Sequence, residues 1–489
     1  MRVAPKNRNS GKRKTQRRGL SGNPQRRAEQ LQGERPKRPA PREAPDLLSG
    51  WSGSELSGFR DLAWRLSGGA DEAPWWRDSH ERILQQARAL DWPTRPAEVE
   101  DLTCDLVGGQ FFDNLQAHHE GHHQAQWLRA LAEHAGAALR QAIADGGDWR
   151  PLWALLYGVA LTTPEPAAPD EELDDLRREL PEIKDPRATA VAELEAASNL
   201  HPEWFVASPL RLPVSPAWPA GAPLVARDAY GSRFLVATPF GYETDESDHW
   251  YAWDIDACWT VSVVGAGTFG SADEALAEWR GAVGTAVGAE LAQGDQGLVA
   301  RLLDPCLQTG IFSDMFQGNE PRELISEQYR MRRRARVLAG AAPGASDGIP
   351  PAGDVDQFGR PTGAHKAFHD WYRERHPRAP KGIAATAETI IGEWGPGRPL
   401  DERSFYACSP FRVAMTAHLI DDGYVPAYAT RAIRLLPAWT QWCAEQSGIP
   451  DDLAAQSIAV ARTAADALDE QDFEEQPDPT ETTPFRHHE

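Results

Sequence analysis

From Trp250 to Val264 apolar and polar residues alternate. Tyr251, Trp253, Ile255, Trp259, Val261 and Val263 fall on one side, and Asp254, Asp256, Thr260 and Ser262 on the other. Successive side chains of a β-strand point to opposite faces, so a period of two over this span commits the segment to a sheet. One apolar and one polar set predict an antiparallel sheet with one wet face. Arg233 to Phe240 reads as a companion strand. A helix follows the alternating segment. Ser271 and Glu274 form a capping box, and Ala275, Leu276, Trp279, Ala282, Val283 and Val287 make a stripe that lies on the sheet. Residues 201–295 are therefore expected to form a small α+β unit.

The remaining patterned sequence is helical. Ser79 to Leu90 has the caps and spacing of one helix. Asp101 to Asp145 gives a longer helical region through Leu102, Leu106, Leu115, Leu128, Leu131 and Leu139, with Gly108-Gly109 and Gly136 as expected breaks. The apolar run Leu152 to Leu161 is a buried helix or a buried strand, and Arg187 to Asn199 is a further helix. Pro321 is placed to open a helix and Gly340 to close it. Pro437 and Pro450 are read as openers in the C-terminal region, with Gly448 closing the first helix. The expected fold class is thus α+β and predominantly helical: helical bundles flanking one small antiparallel sheet with its helix, and disordered tails at both ends. The expected organisation is a basic arm at 1–45, a helical domain at 46–200, the α+β domain at 201–295 and a helical segment at 296–339. A Gly/Pro-rich linker at 340–363, a C-terminal helical domain at 364–469 and an acidic tail at 470–489 complete it.

Charge is divided unevenly along the 489 residues. Residues 1–45 hold 14 Lys+Arg against 3 Asp+Glu, a net of +11, while the rest holds 37 against 69, a net of −32. A cationic arm on an anionic body implies a meeting with nucleic acid, a membrane surface or the body itself. The arm lacks an apolar h-region, and the longest apolar run is ten residues where a membrane span needs about 20, so neither a signal peptide nor a transmembrane helix is expected. The five cysteines are Cys104, Cys258, Cys306, Cys408 and Cys443. Their odd number and wide spacing argue against a disulfide framework and for buried thiols in a cytoplasmic protein.

The arm supplies the expected polyanion-binding residues: Lys12, Arg13, Lys14, Arg17, Arg18, Arg26, Arg27, Lys37 and Arg38. Phosphate binding by counterion release needs charge density rather than a fold. The arm has no aromatic residue on which to stack bases, so binding should be tolerant of sequence. Arg330, Arg332, Arg333, Arg334 and Arg336 form a second basic group near the end of a helix. There they complement the helix dipole or add a second phosphate contact.

Three further patterns bear on chemistry. His119, Glu120 and His123 make an HExxH, the spacing that lets two imidazoles hold a zinc ion while the carboxylate activates its water. Against it stand Gly121 inside the motif, the extra His118 and His122, and the missing third ligand. A surface histidine patch is preferred, and no cofactor is expected. His365, His369 and His376 have metal-like spacing, but the same segment packs as an amphipathic helix on Phe368, Trp371 and Tyr372. Gly265, Gly267 and Gly270 match a dinucleotide fingerprint in spacing, yet the next helix starts after Ser271 and the strand pattern is antiparallel; a hairpin end or loop is expected instead. At 437–469 the spacing suggests a helix-turn-helix. Its second helix opens on Asp451-Asp452, which phosphates would repel, so a plain helix pair is expected.

RRGLSGNPQRRAEQL at 17–31 resembles the basic arms of uncharacterised proteins of high-G+C bacteria. CSPFRVAMTAHLIDDGYVP and LPAWTQWCAEQSGIPDDL, within 408–453, resemble a helical module of such proteins. The resemblance covers about 60 residues and implies a bacterial cytoplasmic protein without assigning a catalytic residue. The reading that follows is a non-enzymatic binding protein tethered to nucleic acid or another polyanion by its arm. The alternatives are a zinc hydrolase acting through His119, Glu120 and His123, and an adaptor that meets a protein partner through tryptophan-rich surface.

Overall fold

The computed structural model describes residues 74–117, 124–163, 185–206, 208–243, 245–259, 261–307, 322–340, 360–378, 382–395, 400, 402–424 and 426–474. The chain is α+β and predominantly helical. Helices α1 (Pro74–Ala89), α2 (Pro96–Thr103), α3 (Gly109–Ala117), α4 (Gln124–Ala144), α5 (Arg150–Thr162), α6 (Pro186–Ser198) and α7 (Pro202–Val206) precede the sheet. The strands are β1 (Trp218–Pro219), β2 (Leu224–Arg227), β3 (Arg233–Tyr242), β4 (Asp245–Asp256), β5 (Ser262–Phe269) and β6 (Ala292–Gln293), with α8 (Ala272–Ala282) between the last two. Helices α9 (Gln296–Leu307) and α10 (Arg322–Gly340) follow. The C-terminal helices are α11 (Ala364–Arg375), α12 (Ile383–Glu393), α13 (Glu402–Tyr406), α14 (Pro410–Gly423), α15 (Pro426–Ser447) and α16 (Asp451–Glu474).

Local chemistry explains most of the helix starts. Pro occupies the first turn of α1, α2, α5, α6, α14 and α15, where its missing N–H removes nothing from the helix. Asp185 Oδ1 accepts from Arg187 N at 3.1 Å and Ser409 Oγ from Arg412 N at 3.3 Å, capping α6 and α14. At α8 half of the expected box forms: Ser271 Oγ accepts from Glu274 N at 3.1 Å, while Glu274 Oε2 accepts from Gly270 N at 3.0 Å instead of from Ser271 N. The apolar run at 152–161 is the helix α5, buried along its whole length. Two expected punctuation marks fall inside helices. Ser79 is not a cap but a buried residue within α1. Pro437 lies within α15, whose continuation is fixed by the packing of Leu436, Trp439, Trp442 and Cys443 on both sides of the proline.

Gly108-Gly109 does not end the helix either. Residues Cys104–Gly108 form a π-helical turn that runs from α2 into α3. A Cβ on Gly108 would stand 2.5 Å from both the Cα and the O of Ser326 in α10, so glycine here allows two backbones to touch. Because the obstacle is backbone, it cannot rotate away. Gly108→Ala is expected to destabilise the protein by about 1–3 kcal/mol or more, as overpacking does. Chemical denaturation checks it, and an unchanged midpoint would refute the contact.

The sheet order is β5-β4-β3-β2-β6, with β1 beside the end of β3 and every pairing antiparallel. The alternating segment is not one strand: β4 ends at Asp256 and β5 starts at Ser262. Nor is one face wet. Phe234, Val236, Phe240, Tyr251, Trp253 and Ile255 join the large core built with the N-terminal helices, α9 and α10. Leu235, Ala237 and Ala252 enter a second core under Leu276 and Trp279 of α8. A bulge opposite Asp254 and Ile255 changes the parity of β5. As a result Val263 and Ala266 face the large core while Phe269 faces α8.

Burial of the polar face is met with charge pairing. Asp254, fully buried, takes a bidentate pair from Arg233 (2.6 and 2.7 Å) and the Trp279 indole N–H at 2.9 Å. A third core holds α11–α16 together around Phe368, Trp394, Trp439 and Trp442. Arg412 links that core to the sheet. Its guanidinium donates to the carbonyls of Cys258 (2.5 Å), Ala257 (3.2 Å), Ser404 (2.7 Å), Phe405 (3.2 Å) and Ala407 (2.9 Å).

Candidate functional site

Between α1 and α3 lies an open groove of about 620 Å³. Helical spacing builds both walls. On α1, Asp78, Glu81, Arg82 and Gln85 face outward while Trp76, His80, Ile83 and Leu84 enter the core. On α3, Gln110, Asp113, Asn114 and Ala117 stand at i, i+3, i+4 and i+7. The floor is a buried hydrogen-bond chain: Gln110 Nε2 donates to Asn114 Oδ1 at 3.0 Å, and Asn114 Nδ2 donates to Ser79 Oγ at 2.9 Å. The rim is fixed by Arg322 of α10, which grips both oxygens of Asp113 at 2.5 and 3.3 Å and lies over the Phe112 ring. The polar face of α3 is visible in the sequence. Of the opposite wall, Glu81, Arg82 and Gln85 fall in the helix expected from Ser79, while Trp75 and Asp78 precede it.

Below the groove, His80 is wedged between α1 and α4. Its Nε2 lies 3.0 Å from the Trp127 carbonyl and its Nδ1 3.0 Å from His134 Nδ1. A carbonyl only accepts, so His80 carries its proton on Nε2 and accepts at Nδ1 from the His134 N–H. Burial, then the His134 neighbour, push His80 down to about 3.

None of the second basic group lies in the last turn of its own helix, and three of its five arginines turn inward. Arg330, Arg333 and Arg334 are buried, and each has an internal partner. Arg330 donates to both oxygens of Glu327 at 2.8 and 2.6 Å and also pairs with Asp101 of α2. Arg334 donates to Glu100 Oε2 at 2.5 Å and to the Tyr242 hydroxyl at 3.2 Å, and lies over the Phe240 and Tyr251 rings. Arg333 donates to the carbonyls of Ala160 (2.8 Å), Leu161 (2.5 Å) and Thr163 (3.0 Å), closing the C-terminal end of α5. The dipole it complements therefore belongs to another helix. Burial lowers Arg332 to about 10, with Arg336 adding to the effect. His249, beside this cluster, is pushed down to about 2 by burial and by Arg334, Arg330 and Arg95.

The other expected sites separate cleanly. Lys12, Arg13, Lys14, Arg17, Arg18, Arg26, Arg27, Lys37 and Arg38 lie outside the described residues, as do His119, Glu120 and His123, Pro321, the stretch 341–359 and the tail from 475. His365 pairs with Glu388 at 3.6 Å and His369 with Asp370 at 3.0 Å, while Phe368 is buried and Trp371 and Tyr372 pack beside it. Among the described residues, no group of three or more His, Cys, Asp or Glu is arranged to hold a metal ion. Gly265 and Gly267 pair with Asp254 and Ala252 inside β5, so the glycine pattern is neither a phosphate loop nor a hairpin end. Residues 437–469 fall in the helix pair α15–α16, turned by Gly448 at φ +65°. All five cysteines are free and buried; burial raises Cys258, Cys306 and Cys408 to about 12, which keeps them as thiols. Among the described residues no helix is long and apolar enough to cross a membrane.

No protein-family model, curated protein or solved structure matches this chain.

Proposed function

We propose that this chain is a bacterial, cytoplasmic, non-enzymatic binding protein that holds a polyanion, nucleic acid first, through the arm residues Lys12 to Arg38. The observation that carries this reading is the charge partition: +11 over residues 1–45 against −32 over the rest. The inward arginines add support. Arg233, Arg330, Arg333, Arg334 and Arg412 are buried on internal acceptors, out of reach of a phosphate at the surface. Phosphate contacts then fall to the arm, and the acidic body opposes close approach, which makes binding weak and strongly dependent on salt.

A salt titration tests it. For the full chain, log K against log salt should fall by about 0.9 per duplex phosphate neutralised, or about 0.7 per single-strand phosphate. Changing Lys12, Arg13, Lys14, Arg17 and Arg18 to Gln should lower a duplex slope by about 4–5. Loss of affinity should be uniform across sequences, because the arm has nothing with which to read bases. Equal slopes for the two proteins, or no binding by either, would remove the reading.

A further inference from the structure

The groove between α1 and α3 has features that packing alone does not require. Two helices that meet through a core gain from apolar contact, and buried polar groups cost free energy unless bonded. Here Ser79, Gln110 and Asn114 are all buried at the contact. Asn114 accepts from Gln110 through Oδ1 and donates to Ser79 through Nδ2, one bond at each end of its amide. Gln110 is only 7 % exposed. It lines the groove, and its Oε1 takes no hydrogen bond from any described residue. A nine-tenths buried amide with one end unbonded beside a groove is a group that a ligand hydroxyl can complete.

The charge of the walls decides which donor. Asp78 and Glu81 are offset in part by Arg82 on the same helix, and Asp113 is held by Arg322. Three carboxylates and two guanidiniums leave too little net charge to select either a polycation or a phosphate. What remains is a mixture of acceptors (Asp78, Glu81, Gln110 Oε1) and donors (Arg82 and the side-chain amides) around one aromatic wall, Trp75. Hydroxyl groups both donate and accept, so they match such a mixture, and an indole offers an apolar face to the C–H side of a ring. The volume lies within the roughly 300–1,000 Å³ of small-molecule sites.

We infer that the α1–α3 groove is a binding site for a neutral polyhydroxylated ligand, a mono- or disaccharide. The saccharide's hydroxyls donate to Gln110 Oε1, Glu81 and Asp78 and accept from Arg82, with its ring against Trp75. The site is independent of the basic arm, so either reading stands or falls without the other.

Saturation-transfer NMR on the full chain tests it with a panel of hexoses, pentoses, hexosamines and disaccharides, and with spermidine and inorganic phosphate as charged comparators. At least one saccharide should give transfer, with a calorimetric Kd that rises tenfold or more in Glu81→Gln, a solvent-facing change that leaves the core intact. Trp75→Leu should weaken the same saccharide to a similar degree. Binding by no saccharide in the panel overturns the inference. So does saccharide binding that ignores both substitutions, or spermidine or phosphate binding that Glu81→Gln abolishes while saccharides stay silent.

Discussion

Replacing Arg330 with Met lowers the unfolding free energy by about 3–5 kcal/mol, read as a shift of the urea midpoint at constant slope. The guanidinium lies among Glu327, Asp101 and the Tyr251 ring and is 1 % exposed. Methionine fills much of the same space and carries no charge. Glu327, itself fully buried, would lose both guanidinium bonds while the Tyr251 hydroxyl stays at 3.1 Å. A buried carboxylate stripped of its cation costs several kcal/mol, which is why the loss exceeds that of a surface ion pair. Asp101 is half-exposed and turns to water, so it adds little. The double change Arg330→Met with Glu327→Leu should recover most of the loss, because the expensive species is the orphaned charge. A single-variant loss under about 1 kcal/mol would mean that the pair behaves as though solvated. Total stabilities of roughly 5–15 kcal/mol make either result readable.

Acid should weaken the fold well above the range where carboxylates titrate. His80 has an ordinary value of 6.5 in the unfolded chain and about 3 in the folded one. Between those values the unfolded state binds more protons, so stability falls as pH drops below about 6.5 and is unaffected above it. The slope is about 1.4 kcal/mol per pH unit for each such histidine. His249, lowered to about 2, acts in the same direction. The geometry gives the cause for His80: a proton on Nδ1 would point at the His134 N–H that already occupies that contact. His80→Gln should remove about one proton's worth of slope between about pH 5 and 6.5, measured by denaturation at several pH values. A slope equal to the parent's would show that His80 takes up its proton without leaving the core.

Much of the fold is legible in the sequence because local rules act where nothing opposes them. The S-A-D-E motif marks the start of α8, the apolar run at 152–161 specifies burial, and the helix expected over Arg187 to Asn199 is α6. The alternation of β4 correctly places Tyr251, Trp253 and Ile255 on one face. The same pattern misleads about Asp254. Polarity in a strand reads as exposure, yet Arg233 from the next strand and Trp279 from α8 satisfy the carboxylate in the interior. Gly108-Gly109 fails in a similar way, since a glycine that admits Ser326 is indistinguishable in sequence from one that ends a helix.

The charge partition, the helical and strand periods and the caps are properties of the chain order, readable without knowing which segments meet. The fate of the arginines at 330–334 does not. Whether that run meets solvent or core depends on Glu100 and Asp101, more than 200 residues upstream, and on the end of α5, which Arg333 closes. The α1–α3 groove belongs to the same class, because its walls are brought together only when both helices bury their other faces. Local sequence sets what each segment can form. Packing decides which polar side chains are spent inside and which are left for a ligand, because only the folded chain brings partners that far apart into contact.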